Sequence, residues 1–479
     1  MDNNLVDVDF EEESDDDSEY ESISSESGIC AKLQIPENIA AYIEKRELIR
    51  DIEEVSCDDD LIENVMNNYI IVKRILSNLC WQEKLLCKHV CTTWHSAILA
   101  LQKEHLGPAD FVVDMHMSRI KNGIRFKSSG QFHTEPLVVF TFVNDNGISV
   151  SNKCMVLLPE PCDPPCEKEH CLIDYVQHQV TAPKDCMLTV RAGYLSYRPL
   201  SQSPTSEHTI TNRTLRRSFP FVAGIYIPII PDVKFHVINI STNTDMKKDF
   251  YDVVSQLAQD HIFKGVLIYV TEKFILQSFI EDCTYLNYFK EVQPDTPYAL
   301  GGCIVEDTLE QSDTNLIIEG QHGARANGFV SENLITLAMF TVPKRCHNSE
   351  HGDKNNFDMF SVVIESPDWS KAKIQKVINE FAKKIPRFEY SVALKLACVG
   401  RDQKHDVEED YFRAAFPHTR LIGCFGNGEL GLNHPARPPS EVPPVKKNRQ
   451  DSPRPLGLLY SYSTVFVYIG WGKMTPAQP

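Results

Sequence analysis

The chain has 479 residues, of which 42% are hydrophobic and 24% charged, and its formal net charge is −18. Twelve carboxylates and no lysine or arginine lie between positions 2 and 26, which leaves a net charge of only −6 for the rest of the chain. This composition predicts two or three globular domains plus tails, and it argues against a basic surface that follows nucleic-acid phosphates.

Residues 1–60 are rich in Asp, Glu and Ser and poor in large apolar side chains. Such a segment buries too little surface to offset its chain entropy, so we predict a disordered acidic tail. No secretion signal is recognisable, and apolar runs such as 219–231 and 465–471 are too short to span a membrane. We therefore expect a cytoplasmic and nuclear protein without membrane contact, whose fifteen cysteines are reduced.

Residues 61–108 carry apolar side chains at three- and four-residue spacing, which predicts two or three short amphipathic helices. The two apolar series are Ile71, Val72, Ile75, Leu76 and Leu79, then Leu85, Leu86, Val90, Trp94, Ile98 and Leu101. Asn67 or Asn68 is expected to cap the first helix, while Lys84, Lys88 and His95 are expected to face water. About forty residues bury little surface by themselves, so part of this apolar surface is expected to contact a partner.

Beyond residue 109, runs rich in Val and Phe alternate with helical patterns, which predicts an α+β chain: a small helical unit followed by a mixed α/β body of layered sheets and helices. The predicted strands are 111–115, 137–143, 155–158, 187–197, 219–230, 233–240, 265–270, 298–305, 360–364, 392–399, 421–425 and 460–469. The predicted helices are 249–261, 274–289, 369–384 and 407–416. Gly301 and Gly302 are expected to form a turn, and prolines make 434–455 an extended loop.

The helical unit resembles the F-box, an adaptor motif that binds the protein Skp1 within cullin-based ubiquitin ligases. The resemblance lies in Ile75-Leu76-Ser77-x-Leu79, Leu85-Leu86 and Val90-Cys91-x-x-Trp94. It implies that Skp1 contacts Ile75, Leu76, Leu79, Leu85, Leu86, Val90, Cys91 and Trp94. The alternative is an ordinary helical lobe that packs on the rest of the chain.

A second resemblance, to the FIST sensory domain, is carried by the segments 397–401, 421–431 and 461–464. It implies an F-box at 61–108, a FIST N-like region at 109–345 and a FIST C-like region at 346–479. Together the two resemblances imply a non-catalytic substrate receptor of a Skp1–cullin–F-box ligase, in which the FIST portion binds the protein to be ubiquitinated and degraded. Since bacterial relatives bind small ligands, a ligand-sensing module without a ligase role is the alternative, and both roles are compatible.

Residues 426–431 match the glycine pattern of dinucleotide-binding turns, but the proline-rich sequence that follows cannot form the required helix. A tight turn is the favoured interpretation, with a ligand pocket as the alternative. Cys398 lies close to Arg401, whose guanidinium is able to lower a thiol pKa. A buried structural cysteine is the favoured interpretation, with an accessible, partly ionised thiol as the alternative. The predicted substrate or ligand site therefore comprises Cys398, Arg401, Gly426, Asn427, Gly428, Glu429 and Gly431.

Cys162, Cys166, His170 and Cys171 are candidate zinc ligands, since thiolates and imidazoles bind zinc. No paired Cys-x-x-Cys knuckle is present, so reduced loop cysteines are favoured and we predict neither a metal nor a cofactor. A cysteine hydrolase needs a base beside its nucleophile, and nothing in the sequence pairs a histidine with Cys398. The sequence therefore favours a binding protein over an enzyme.

Overall fold

The N-terminal segment forms four helices instead of the predicted two or three: α1 (Asp59–Asn67), which precedes the apolar series, α2 (Tyr69–Leu76), α3 (Trp81–Cys87) and α4 (Thr92–Glu104). The Asn68 side chain accepts the amide N–H groups of Ile70 and Ile71 at 3.1 and 3.2 Å, so the predicted cap is confirmed at Asn68. The helices share a small core of buried residues: Val72, Leu76, Ala97, Ile98 and Leu101. We refer to residues 59–104 as the helical unit and to the remainder as the body.

The computed structural model describes residues 59–117, 122–149, 152–153, 169–180, 182–206, 219–277, 287–311, 329–330, 332–344, 356–365, 368–401, 404–437 and 459–475. The predicted acidic tail, the predicted strand 155–158 and most of the proline-rich loop lie outside these residues.

The body alternates strands and helices. In chain order these are β1 (Ala109–Met117), β2 (Asn122–Ser128), β3 (Pro136–Val143), α5 (Asp145–Ser149), β4 (Asn152–Lys153), β5 (Glu169–His170), α6 (Leu172–Val180), β6 (Met187–Arg191), β7 (Tyr194–Arg198), β8 (Phe221–Pro228), β9 (Lys234–Ile240), α7 (Val253–Asp260), β10 (His261–Thr271), α8 (Glu272–Gln277), α9 (Tyr288–Val292), β11 (Ala299–Val305), β12 (Asp307–Gln311), β13 (Phe329–Val330), β14 (Ile335–Pro343), β15 (Asn356–Ile364), α10 (Lys371–Lys384), β16 (Arg387–Cys398), α11 (His405–Ala415), β17 (Arg420–Gly426), β18 (Glu429–Gly431), β19 (Leu459–Tyr460) and β20 (Thr464–Thr475). A 3₁₀ turn (Lys184–Cys186) and a π-helical turn (Met246–Asp252) complete the described elements.

Most strands belong to three sheets. Sheet 1 has the order β13-β12-β6-β3-β8-β1-β2, sheet 2 the order β19-β18-β11-β10-β14-β9, and sheet 3 the order β15-β20-β16-β17-β7. Each contains a parallel pair among antiparallel neighbours: β3 with β6, β10 with β11, and β16 with β17. The α+β class predicted from the sequence is confirmed.

The three sheets turn their inner faces toward one apolar core. Phe140 of sheet 1, Leu267 of sheet 2 and Val467 of sheet 3 belong to the same buried cluster. The outer faces are covered by helices: α6 on sheet 1, α7 and α9 on sheet 2, and α10 and α11 on sheet 3. The body is therefore a set of sheets around a common interior, with helices outside.

Strands that are distant in sequence share these sheets. Strand β7 pairs with β17, and β18 pairs with β11, although the partners lie on opposite sides of residue 345. Asp110 of β1 adds a polar link between sheets, because its buried carboxylate accepts Arg420 Nε at 2.6 Å and the Tyr197 hydroxyl. The segments on either side of residue 345 consequently contribute to one common framework.

The helical unit is bonded directly to the body. Lys84 was expected to face water, but its side chain is buried and its Nζ donates to the His133 carbonyl oxygen at 3.0 Å. Burial lowers the pKa of Lys84 to about 8. The Trp81 amide of α3 donates to the Phe132 carbonyl at 3.3 Å, and just beyond the unit Trp471 Nε1 of β20 donates to the Leu106 carbonyl at 2.7 Å. The prediction for Lys84 was wrong because the tertiary contact with the body overrides the amphipathic pattern of the helix.

Two local predictions need correction. Gly301 and Gly302 do not form a turn but lie inside β11, fully paired with β10. The segment 187–197 was predicted as one strand, whereas the structure has two, β6 in sheet 1 and β7 in sheet 3. The predicted helix 274–289 is described only at its two ends, as α8 up to Gln277 and α9 from Tyr288. The glycines are required by close neighbours, since a Cβ on Gly301 would lie 2.2 Å from Val467 Cγ2.

Close packing of a side chain on a strand glycine also gives a stability prediction, at Gly224 of β8. A Cβ there would lie 2.1 Å from the Phe111 ring, which is fully buried. We expect Gly224→Ala to destabilise the fold by about 2 kcal/mol, because the ring has no free volume into which it can move. Gly130→Ala is the matched control, since its nearest new neighbour is 4.0 Å away. Equal urea midpoints for the two variants would contradict the close packing of β1 on β8.

Candidate functional site

The helical unit exposes large apolar side chains. Ile70 is 78% exposed, Val90 52% and Ile75 41%. The other exposed members of this surface are Tyr69, Ile71 and Leu99. Ile71 and Ile75 are one helical turn apart on α2, and Val90 lies in the turn between α3 and α4. Exposed apolar groups concentrated in so short a segment are typical of a protein–protein contact.

The eight residues predicted to contact Skp1 fall into different environments. Leu76 is fully buried in the core of the helical unit, and Leu79 and Trp94 pack against that core. Trp94 Nε1 also donates to the Met66 carbonyl at 3.2 Å. By contrast, Ile75 and Val90 are exposed, and the partly exposed members are Leu85, Leu86 and Cys91. The F-box-like pattern therefore mixes residues that hold the helices together with residues that face outward.

Four side chains of the exposed surface were not predicted as contacts: Tyr69, Ile70, Ile71 and Leu99. The sequence contains a signal for one of them. Ile70 stands immediately beside Ile71 at the start of α2, where two adjacent isoleucines cannot both face the same small core.

A second group of predicted residues meets where the parallel strands β16 and β17 end. In the register of these strands Cys398 lies opposite Gly426, and the Val399 amide donates to the Gly426 carbonyl at 2.9 Å. The Cys398 amide donates to the Ser463 carbonyl, also at 2.9 Å, so β20 begins at the same place. Carboxyl ends of parallel strands are common ligand sites in α/β sheets, which makes this end of sheet 3 a candidate site.

Arg401 is fully buried at this end and is paired with α11. Its guanidinium lies 2.7 Å from Glu408 Oε1, and both side chains have no solvent exposure. The second carboxylate oxygen of Glu408 accepts the Thr464 hydroxyl at 2.7 Å. Arg401 Nη1 also donates to the Tyr462 carbonyl. Arg401 therefore holds α11 and the start of β20 in place, and its charge is compensated by a carboxylate.

Besides Arg401, a second buried titratable side chain, Glu429, lies next to Cys398. Its Oε2 accepts the Ser463 hydroxyl at 2.7 Å and the Ser463 amide at 3.2 Å, and its carboxyl group also interacts with the Cys398 thiol. Burial raises the pKa of Glu429 to about 8, against a usual 4.5. The side chain is therefore mainly a neutral carboxylic acid at pH 7.

Cys398 does not have the properties of a reactive thiol. It is 9% exposed, and burial, followed by the neighbouring Glu429, raises its pKa. The alternative of an accessible thiolate activated by Arg401 receives no support, because Cys398 is buried and the Arg401 guanidinium pairs with Glu408. Cys398 is a buried structural cysteine.

The glycine turn packs against β11 and does not enclose a ligand. The Asn427 amide donates to the Ile304 carbonyl at 2.9 Å, and the Ile304 amide donates to the Gly428 carbonyl at 2.8 Å. A Cβ on Gly426 would lie 2.3 Å from the Ile304 carbonyl oxygen, and Gly428 has a φ of 147°. Strand β18 follows instead of a helix, and a Cβ on Gly431 would meet Val465. The tight-turn interpretation is confirmed, and the glycines permit backbone to approach backbone.

Sequence reasoning missed a further buried ion pair. Lys395 Nζ of β16 lies 2.6 Å from Glu409 Oε1 of α11, and neither side chain is exposed. Ser196 Oγ and Arg198 Nε of β7 donate to the same carboxylate, each at 2.7 Å. Burial opposes ionisation of Glu409, but these cations and the hydroxyl outweigh it and its pKa is lowered. Phe412 lies on the same buried face of α11 as Glu408 and Glu409. This helical spacing is the sequence signal from which the inward position of both glutamates could have been predicted.

Metal ligation receives no support from the part of the chain that the structure describes, where no group of three or more His, Cys, Asp or Glu side chains is arranged to hold an ion. Cys162 and Cys166 lie outside the described residues. Cys171 is buried in the core beneath α6, and His170 lies in β5.

Among the described helices, none is long and apolar enough to cross a membrane.

Comparison with known proteins adds no assignment: a scan against protein-family models and a search of curated proteins each found no match for the chain.

We predict a pH-dependent contribution of Glu429 to stability. Its pKa is raised in the folded state, so the fold favours the protonated form, and this contribution decreases as the pH rises from about 4.5 to about 8. Glu429→Gln retains the shape and removes the titration. The urea midpoint of the wild type, relative to the variant, should therefore fall across this interval and level off above it. A constant difference between pH 5 and pH 9 would show that Glu429 titrates normally.

Cysteine labelling tests the structural assignment of Cys398. Iodoacetamide should modify the partly exposed Cys91 well before the buried Cys398 in the native protein, because the thiol of Cys398 is both inaccessible and protonated. Peptide mass spectrometry measures both rates. After denaturation in urea the two rates should become similar, and preferential native labelling of Cys398 would restore the reactive-thiol hypothesis.

Proposed function

We propose that this chain is the substrate-recognition subunit of a Skp1–cullin–F-box ubiquitin ligase. In this proposal the helical unit is an F-box that binds Skp1, and through Skp1 it recruits the cullin and RING subunits. The FIST-like body binds the protein that is ubiquitinated and degraded. The supporting observation is the exposure of Ile75 and Val90, two residues of the F-box-like pattern.

The attachment of the helical unit supports the same proposal. A substrate receptor has to hold its target at a defined distance from the ubiquitin-charged enzyme, since its contribution to the reaction is proximity and orientation. Hydrogen bonds join the helical unit to the body: Lys84 Nζ donates to the His133 carbonyl, and the Trp81 amide donates to the Phe132 carbonyl at 3.3 Å. A partner bound to the outer face of α2 would therefore be held in a fixed orientation relative to the body.

A non-catalytic role agrees with the chemistry of the buried polar groups. Arg401, Lys395, Glu408 and Glu409 are paired with one another within the fold, and Cys398 is a protonated, buried thiol. None of these groups presents an activated nucleophile to solvent. The proposal includes action in the cytoplasm and the nucleus, where ubiquitin ligases of this class operate.

The alternative function, a ligand-sensing module without a ligase role, was based on pockets lined by glycine backbone. Gly301 lies against Val467 and Gly426 against Ile304, so at both positions the bare backbone faces protein. The sensing function receives no support from these glycines.

The exposed apolar side chains provide the test of the ligase proposal. We expect the double variant Ile75→Glu, Val90→Glu to weaken Skp1 binding by at least about 30-fold, because each charge would be desolvated in an apolar interface. Both side chains are exposed, so the thermal unfolding temperature of the isolated chain should change little. Titration calorimetry with purified Skp1 measures the affinity.

Ile229→Glu supplies the matched control, because Ile229 is an equally exposed isoleucine located on the body. It should bind Skp1 like the wild type. Undiminished binding by the double variant, or no binding by the wild-type chain, would overturn the proposal. Leu76 and Trp94 are less informative positions, since their replacement disturbs the core of the helical unit.

A further inference from the structure

Helix α10 presents a basic outer face. Its inner face, with Ile374, Ile378 and Phe381, is buried against sheet 3, while its lysines are exposed. At 3.6 residues per turn, four of these lysines fall on the side of the helix that points away from the sheet. They are Lys373, Lys376, Lys383 and Lys384, and we refer to them as the basic stripe.

Carboxylates of the described part of the chain balance little of this charge. There, Glu380 is the carboxylate that pairs with the stripe, with its Oε1 3.8 Å from Lys376 Nζ. Lys373 Nζ lies 4.0 Å from the centroid of the Trp369 ring, and Lys384 Nζ donates to a backbone carbonyl at 3.0 Å. A ring and a carbonyl orient these ammonium groups but leave their charge uncompensated.

The adjoining sequence does not supply the missing carboxylates. Arg437 lies beside the stripe, 5.3 Å from the Trp369 ring, and forms its own pair with Glu365. The residues 438–458 that follow it in the sequence include four basic and two acidic side chains. The stripe is therefore a positive surface on a chain whose formal net charge is −18.

The predicted acidic tail has the complementary charge. Residues 9–21 contain nine carboxylates and no lysine or arginine. Helix α10 has 14 residues and is therefore about 20 Å long, a length that about six extended residues span. The sequence 11–17 alone offers six carboxylates over that distance. Charge and length consequently match between the two segments.

The connection to α1 is long enough for the tail to reach α10. The 37 residues 22–58 separate the acidic segment from Asp59, where α1 begins. Fully extended, they span about 120 Å. A globular body of this size has a diameter of only about 55 Å. Every face of the body is thus within reach of the tail.

Tethering favours the tail over an acidic segment of another molecule. Exposed ion pairs contribute little individually and are screened by salt, so a free acidic peptide would bind the stripe weakly. A segment on the same chain is present at an effective concentration in the millimolar range. The tail therefore has an advantage over free competitors of the same charge.

We propose that residues 9–21 of the acidic tail dock on the basic stripe of α10 within the same molecule. The contact joins several carboxylates to Lys373, Lys376, Lys383 and Lys384, is released by salt, and covers α10 against other acidic segments. The proposal is independent of Skp1 binding, since it concerns a helix of the body and not the helical unit.

Zero-length crosslinking of the full chain tests the contact. A carbodiimide joins a carboxylate to a lysine in direct contact, and peptide mass spectrometry identifies the pair. Residues 9–21 should be linked to the stripe about 10-fold more often than to Lys247 and Lys290, two exposed lysines near sheet 2. Raising the salt from about 0.1 to about 1 M, which shortens the Debye length from about 10 to about 3 Å, should remove most of these links.

A mixture of isotope-labelled and unlabelled protein distinguishes the possible occupants. Links within one molecule join peptides of the same label, whereas links between molecules join both labels. A majority of mixed links would identify a second copy as the occupant and overturn the proposal. Tail links spread evenly over the exposed lysines would refute the stripe as the docking site.

Variants of the full chain provide an independent measurement, with a fluorescent peptide of residues 9–21 as the probe. Changing the nine carboxylates of the tail to amides should strengthen peptide binding about 10-fold over the wild type, whose own tail occupies the stripe. Adding Lys376→Glu and Lys383→Glu, both at exposed positions, should abolish this binding. Adding Lys247→Glu and Lys290→Glu instead changes the net charge equally and should preserve it. Equal peptide binding by the wild type and the amide variant, or an equal loss in both lysine pairs, would contradict the proposal.

Discussion

The body depends on one constraint, which is that three sheets close over a single apolar interior. Sheets that share a core must approach each other closely, and at some positions no side chain fits between them. A Cβ on Gly265 of sheet 2 would overlap Met359 of sheet 3, and a Cβ on Gly301 would overlap Val467. The glycines are thus a consequence of sheet-on-sheet contact. Pairings such as β7 with β17 follow from the same requirement, because each sheet is completed by strands from a distant part of the chain.

Closure of the sheets also decides the chemistry of the polar residues at their ends. Arg401, Glu408 and Glu429 are removed from water by the elements packed around them. Buried charges are tolerated when they are paired, which the contact between Arg401 and Glu408 achieves, and otherwise a group changes its protonation state, as Glu429 does. At this end of sheet 3, which the sequence predicts as a substrate or ligand site, Arg401 and Glu408 connect α11 to the start of β20.

The apolar residues of the helical unit fall into two groups. Leu76 and Trp94 hold the helices together, whereas Ile75 and Val90 remain exposed after the unit has packed on the body. The contact with the body is made by Lys84 and Trp81, which are both buried, the first through its Nζ and the second through its amide N–H. The residues that contact the body are therefore different from those that remain exposed.

Periodicity in the sequence determined the α+β class, the helices of the N-terminal unit with the Asn68 cap, and most strands of the body, because these features depend on neighbours within a few residues. It also determined that the turn at Gly426 and Gly428 is tight, since no helix is able to follow it. Only the tertiary structure decided which strands are neighbours, that Lys84 is buried, and that Arg401 pairs with Glu408 and leaves Cys398 protonated. The pairing of Lys395 with Glu409 was likewise invisible in the sequence. Burial and charge pairing arise from residues that are far apart in the chain, so no local pattern contains them.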